Sequence, residues 1–226
     1  DKNFCSIEVP ALDIADRPCY YSGKGRLKGS YVRVGTNDEP MTEYEIYSYE
    51  AYRRKYQDDI RPIPRATDDL MNLNAIADYI KYRSENKPQF SLISEEKIQE
   101  LTSIKINGEY TLASTLLFGL YPQAFFPQLC IIATVLPGSE VGELGMNQER
   151  FSDNLRIEGT IKDMLAEAIS FVKKNTKTKT IIDPQTGERK DKSDYPITGV
   201  REVVLNALVH RDYSIHTEGM PIQLQI

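Results

Sequence analysis

Tyr195-Pro196-Ile197-Thr198-Gly199-Val200-Arg201-Glu202-Val203-Val204-Leu205-Asn206-Ala207-Leu208-Val209-His210-Arg211-Asp212-Tyr213 is the stretch on which the reading of this chain turns. Val200, Val203, Val204, Ala207 and Leu208 fall at i, i+3, i+4, i+7 and i+8, which predicts a helix from about Thr198 to His210 with one complete buried face. Glu202, Asn206 and His210 fall at i, i+4 and i+8, a polar line along another side, so Glu202 and Asn206 are surface neighbours. Asparagine is a poor mid-helix residue because its amide competes for backbone hydrogen bonds. Placing Asn206 between Leu205 and Ala207 therefore costs helix stability and points to a task for its side chain. An amide oxygen can ligate Mg²⁺, a hard cation satisfied by oxygen donors and phosphates. A carboxylate one turn earlier can orient or deprotonate an attacking water. Hydrolysis of a nucleoside triphosphate uses both groups. A helix with a merely solvated polar line, Glu202 pairing with Arg201 or nearby lysines, has the same spacing.

Working outward, Gln128 to Leu136 and Arg156 to Ile161 read as strands, Lys162 to Asn175 as a helix with Met164, Leu165, Ala168, Ile169 and Val172 on one side, and Thr178 to Asp183 as a strand. Asp183 to Lys192 reads as a polar hairpin loop, and Ile222 to Ile226 as the last strand. The middle of the chain is helical. Asp68 to Ser84 repeats Leu70, Leu73, Ile76, Ala77 and Ile80 at helical steps, and Ser94 caps Glu95 to Leu101 with Ile98 and Leu101 facing inward. Asn107-Gly108 marks a turn before an apolar, buried Thr111 to Phe118. Two short helices around a turn suggest a helix-turn-helix, but the second lacks Arg or Lys to reach bases, so it is read as core. Asp59 to Arg65 is a connector. Near the N-terminus, Phe4 to Val9 and Ser30 to Val34 read as strands, Asp38 to Pro40 as the break after the second, and Thr42 as the N-cap of Glu43 to Tyr52. The mixture is that of an α+β fold.

The bulk composition limits the function classes. Hydrophobic residues make 40% and charged residues 27% of 226 positions, an ordinary globular balance. A net charge of -5 excludes a whole-chain basic footprint, so contact with nucleic acid must come from a local patch. The loop Gly23-Lys24-Gly25-Arg26-Leu27-Lys28-Gly29 reads as a solvated hairpin tip whose Lys24, Arg26 and Lys28 are the first candidates for such contact. Cys5, Cys19 and Cys130 form neither a disulfide framework nor a metal knuckle, and His210 and His216 are too few for a histidine-rich metal centre. With no long apolar run and no signal peptide, a soluble, cytoplasmic protein is expected, without a membrane partner. The first residue is Asp1, and Met220 to Ile226 alternates like a strand that stops without a turn, so a piece cut from a longer protein is expected.

Glu202-Val-Val-Leu-Asn206-Ala207 followed by His210-Arg211-Asp212-Tyr213 resembles the N-box of the RecG-like C-terminal ATPase family, a divergent branch of the GHKL group. Tyr31 to Gly35, Pro40 to Tyr47 and the Leu117 to Pro127 region resemble bacterial transcriptional regulators that join a Schlafen/Alba-like DNA-binding domain to this module. The resemblance implies the end of the Schlafen/Alba-like domain over 1–40, a helical connecting region over 41–122, and the N-terminal part of an incomplete GHKL-like α/β sandwich over 123–226. It implies ATP and Mg²⁺ as cofactors of the full-length protein, Glu202 as general base, Asn206 as Mg²⁺ ligand, and His210 and Arg211 near the phosphates. The family's adenine-binding box and glycine-rich lid do not occur before Ile226, so this segment is expected to be inactive by itself even if the full protein is a Mg²⁺-dependent ATPase. DNA, nucleotide and a second copy of the chain are the partners this admits. The rival expectation is a non-catalytic GHKL-like scaffold or dimerisation module. His210-Arg211-Asp212 also echoes the kinase catalytic loop, but the other kinase motifs are absent and that reading is rejected.

Overall fold

Thr42, Asn72, Ser94, Thr111 and Thr160 each precede a helix and accept a hydrogen bond from the amide of the third helical residue, which sets where five helices begin. The computed structural model describes residues 5–138, 142–145, 148–182 and 189–226, those of 178–182 and 189–192 by their backbone alone. The fold is α+β, and the chain divides into two compact units, Asp1–Gln57 and Asp58–Ile226.

In the smaller unit, residues 5–13 carry no regular structure and are exposed. A 3₁₀ turn at Ser22–Lys24 runs into a short helix α1 (Gly25–Gly29), followed by the antiparallel hairpin of β1 (Tyr31–Val34) and β2 (Asn37–Pro40) and by helix α2 (Glu43–Arg54). The Thr42 hydroxyl and the Glu45 carboxylate form a reciprocal capping box at the start of α2. Met41 and Ile46 are buried, and the Met41 N–H bonds the Ser30 carbonyl at 3.0 Å.

The larger unit opens with a helical half: α3 (Leu73–Asn86), α4 (Glu95–Leu101), a hairpin of β3 (Lys105–Ile106) and β4 (Glu109–Tyr110), and α5 (Leu112–Phe118). Asn107 at φ 51 and Gly108 at φ 83 give the hairpin its two left-handed corner residues. Residues 61–72 clasp α5 at both ends, through Leu112 N–H to Arg61 O (3.0 Å) and Asn72 N–H to Phe118 O (2.7 Å). Ile76, Ile80, Ile98, Ile104 and Tyr110 form the core of this half.

A three-stranded sheet follows, in the order β6 (Asp153–Ile157), β5 (Ile131–Val135), β9 (Ile222–Gln225), with β5 antiparallel to β6 and parallel to β9. Helix α6 (Ile161–Asn175) packs Met164, Ala168 and Phe171 against Ile131, Ala133 and Ile157 of the sheet. A separate hairpin, β7 (Thr178–Ile182) with β8 (Arg189–Ser193), leads to α7 (Ile197–Val209), whose Val204 and Leu208 complete the same core. Gln123, buried, joins the two halves. Its Nε2 donates to Leu129 O (2.9 Å) and Gly159 O (3.0 Å), and its Oε1 accepts from Gly159 N–H (2.8 Å).

Several sequence expectations are corrected. Residues 5–9 are not a strand; Ile7 and Val9 are exposed, and no neighbouring strand pairs with them among the described residues. Tyr21 to Gly29 is a helical turn rather than a hairpin tip, and Asp38 to Pro40 is strand β2 rather than a break. The helix expected from Asp68 begins at Leu73, because Asn72 provides the cap and Asp68–Leu70 forms a 3₁₀ turn. Leu101 faces solvent, while Ile98 is buried. The strand expected at Arg156 to Ile161 ends at Ile157, where Gly159 (φ 105) turns the chain into α6. Thr111 to Phe118, read as core, does bury Leu112 and Leu116 of α5, and the turn before it is the β3–β4 hairpin. By its contacts the chain divides after Gln57, with α2 in the unit of the N-terminal hairpin and the helical half in the unit of the sheet. Of the hairpin loop expected over Asp183 to Lys192, 183–188 lie outside the described residues and the rest belongs to β8.

Two outcomes test this packing. Gln123→Leu strips partners from the buried Leu129 carbonyl and from the half-buried carbonyl and amide of Gly159, and with a buried group worth about 1–3 kcal/mol when left unsatisfied, urea unfolding should show a loss of about 2 kcal/mol or more. Leu208→Ala should cost about 2–5 kcal/mol by the same measurement, a range set by buried leucine truncations. Val203→Ala, on the exposed side of α7, should stay within about 0.5 kcal/mol.

Candidate functional site

Helix α7 begins at Pro196 with no side-chain cap; its first turn is closed by Val200 N–H to Pro196 O at 3.0 Å. The buried stripe runs through Val204 and Leu208, with Val200 packed partly against the core. Val203 and Ala207, expected on that stripe, are exposed, Val203 by 68%. A helix apolar on two sides has only one side to give to the sheet, and the Val200-Val204-Leu208 line takes it. Val203 instead lines an open apolar cleft of about 300 Å³ beside α7, together with Val172, Tyr195, Leu224 and Ile226.

Glu202, Asn206 and His210 are all exposed, and their side chains make no hydrogen bond to any described residue. Glu202 does not pair with Arg201. The Asn206 backbone carbonyl accepts from His210 N–H at 2.9 Å, which ends the helix, and leaves the Asn206 side chain free. A carboxylate and an amide oxygen one turn apart are hard donors of the kind Mg²⁺ takes, one or two from protein and the rest from phosphate and water. Among the described residues no group of three or more His, Cys, Asp or Glu could hold a metal ion.

The residues after the helix have a structural task that sequence reasoning missed. Nη2 of Arg211 donates to Thr217 O at 2.8 Å and to Met220 O, and its guanidinium lies 5.8 Å from the Tyr213 ring centroid. Burial pushes the Arg211 guanidinium below its ordinary value and the Tyr213 phenol above its own. The Tyr213 hydroxyl donates to Leu208 O at 2.5 Å, and its ring packs with Leu112, Leu116, Phe126 and Leu129. Ser214 N–H bonds the Asp212 carboxylate at 2.8 Å, and Thr217 Oγ1 donates to Asp212 O at 2.5 Å. Glu218 pairs with Arg61, whose guanidinium lies over Phe126 at 5.6 Å. The block thus reverses the chain from α7 into β9, where Ile222 N–H bonds Cys130 O at 3.0 Å. The Asp212-x-Ser214 pair is a legible Asx-turn signal for this loop.

Glu202, Asn206, His210 and Arg211 belong to the larger unit, whereas Lys24, Arg26 and Lys28 lie on the helical turn of the smaller one. Lys24 Nζ donates to the Tyr31 hydroxyl at 3.1 Å, Lys28 is exposed, and Arg26 is half-buried with its Nε unpartnered among the described residues. No described helix is long and apolar enough to cross a membrane.

No family model matches the chain, and no curated protein matches it. Among solved structures it is similar to the DIP2311 protein from Corynebacterium diphtheriae, at 18% identity over 87% of this chain, with a TM-score of 0.47. The chain spans 36% of that protein's length, and a likeness at this level carries no argument about function.

Proposed function

We propose that α7 forms one wall of a Mg²⁺-dependent ATP site in a bacterial DNA-binding regulator, in which nucleotide binding biases a conformational or oligomeric state that controls DNA contact. The observation that carries the reading is the exposed line Glu202-Asn206-His210, whose side chains hold nothing in the described structure although the opposite stripe of the helix is buried. An asparagine in mid-helix with no structural bond is destabilising where it stands, and a ligand role accounts for it. Asn206 supplies an oxygen to the cation, Glu202 orients or deprotonates the attacking water, and His210 faces the phosphate end at the helix terminus. Bound Mg²⁺ supplies charge neutralisation at the phosphates. The resemblance of this segment to the RecG-like ATPase N-box supports the same assignment.

A second reading, a non-catalytic scaffold or dimerisation module, is favoured by Arg211. Its Nη2 is committed to two backbone carbonyls of its own loop, a stabilising use rather than a phosphate-binding one.

Calorimetry with Mg-ATP, on this chain and on a form extended past Ile226, separates the two. On the first reading the extended protein binds Mg-ATP, loses affinity without Mg²⁺, and loses at least tenfold, about 1.4 kcal/mol, on Asn206→Ala. Glu202→Gln should keep binding and lose turnover. No binding by either form sinks the nucleotide reading and leaves the scaffold.

A further inference from the structure

The stretch from Arg17 to Asn37 carries five cations, Arg17, Lys24, Arg26, Lys28 and Arg33, three tyrosines and no acidic residue, in a chain of net charge -5. The fold gathers its centre into one pinned turn. Tyr20 bridges Ser30, Tyr21 N–H bonds Gly29 O at 2.9 Å, Lys24 N–H bonds Tyr21 O at 3.1 Å, and Ser30 Oγ donates to Arg26 O at 2.7 Å. The closure requires glycine at 29, where a Cβ would stand 2.5 Å from Tyr21 O. On this stiff support Tyr20, Tyr21 and Tyr31 remain 47%, 65% and 43% exposed, beside exposed Lys24 and Lys28. Two of the other cations are spoken for, since Arg33 pairs with Asp38 at 2.8 Å and Arg17 Nε bonds Leu12 O at 3.1 Å.

We propose that the turn from Tyr20 to Tyr31 binds single-stranded nucleic acid, its bases stacking on Tyr20, Tyr21 and Tyr31 and its phosphates meeting Lys24 and Lys28. The inference narrows the nucleic-acid half of the proposed function and rests on it. Exposed aromatic rings set between cations form the surface that single strands use, because unpaired bases offer a free face and duplex bases do not. The duplex alternatives fit poorly. Helix α1 has only five residues, too short to serve as a groove-reading helix, and the β2 arm of the hairpin presents exposed Asp38 and Glu39 to any phosphate backbone laid across it. Arg26, half-buried on the same turn, adds positive charge to it.

The test is fluorescence anisotropy of the full chain with labelled short oligo(dT), oligo(U) and a duplex of equal length. Single strands should bind about tenfold or more tighter than duplex, and the tighter of the two single-strand arms names DNA or RNA. Tyr21→Ala should weaken binding about tenfold while Tyr21→Phe retains it, since the ring and not the hydroxyl carries the stack. Lys24→Ala with Lys28→Ala should lower affinity and flatten the salt dependence by about 1.4 in log-log slope, two phosphates' worth. An unchanged melting temperature confirms that each variant is folded. Duplex binding as tight as single-strand binding overturns the inference and leaves a DNA-binding regulator standing. Tyrosine variants that bind like the parent overturn it too, leaving only unspecific charge attraction. Failure to bind any of the three probes removes the inference together with the nucleic-acid half of the function, whatever Mg-ATP does.

Discussion

The larger unit depends on the side-chain amide of Gln123. Both ends of that amide are consumed by backbone groups, Leu129 O and Gly159 O on one side and Gly159 N–H on the other. Those groups bracket the sheet: Leu129 leads into β5, and Gly159 stands between β6 and α6. A buried amide is costly without partners and worth most when every partner is met, so the arrangement is close to all-or-none. It fixes the separation between the end of the helical half and the sheet. The apolar contacts of α6 against Ile131, Ala133 and Ile157 then have one register in which to form. The hydrophobic clusters supply most of the stabilisation, and the amide decides which packing they stabilise.

The same logic explains what the sequence makes legible. Helices that announce their start with a capping side chain, at Thr42 and Ser94, are readable to within a residue, because the cap is a local interaction that needs no knowledge of the fold. Asn72 shows the limit. Asp68 offers an equally good cap upstream, but its carboxylate is taken by the Tyr110 hydroxyl at 2.7 Å and Lys105 at 3.0 Å, partners 42 and 37 residues away. Only tertiary structure decides between the two starts. Strands are harder. Cys5 to Val9 alternates correctly and finds no partner, while Asn37-Asp38-Glu39-Pro40, with no apolar residue, pairs fully with β1 because a turn at Gly35 (φ 58) brings it there. Alternation measures amphipathicity, and pairing requires a neighbour.

Helix α7 carries both the readable and the unreadable part of the candidate site. Its extent and its polar line follow from spacing alone. Which of its two apolar sides turns inward does not, since Val200-Val204-Leu208 and Val203-Ala207 are comparable stripes lying side by side around the helix. The choice is made by what lies opposite, the Ala133, Ala168 and Phe171 surface of β5 and α6. Val203 of the other stripe is left to border an apolar cleft with Leu224 and Ile226 of the final strand region.

The consequence for chemistry lies in how the motif divides its labour. From Glu202 to His210 the polar side chains are solvent-facing and free of internal duties; from Arg211 to Glu218 nearly every polar group is spent on turning the chain. Arg211, Asp212, Tyr213 and Thr217 bond the loop to its own backbone, and Tyr213 ties it to the last turn of α7 through Leu208 O. Side chains that must meet a ligand at fixed spacing gain from a well-braced support. The second half of the motif thus braces the end of the helix on which Glu202, Asn206 and His210 stand. The Nη2 of Arg211 is spent on carbonyls six and nine residues further along the chain, bonds that the spacing of the motif does not announce.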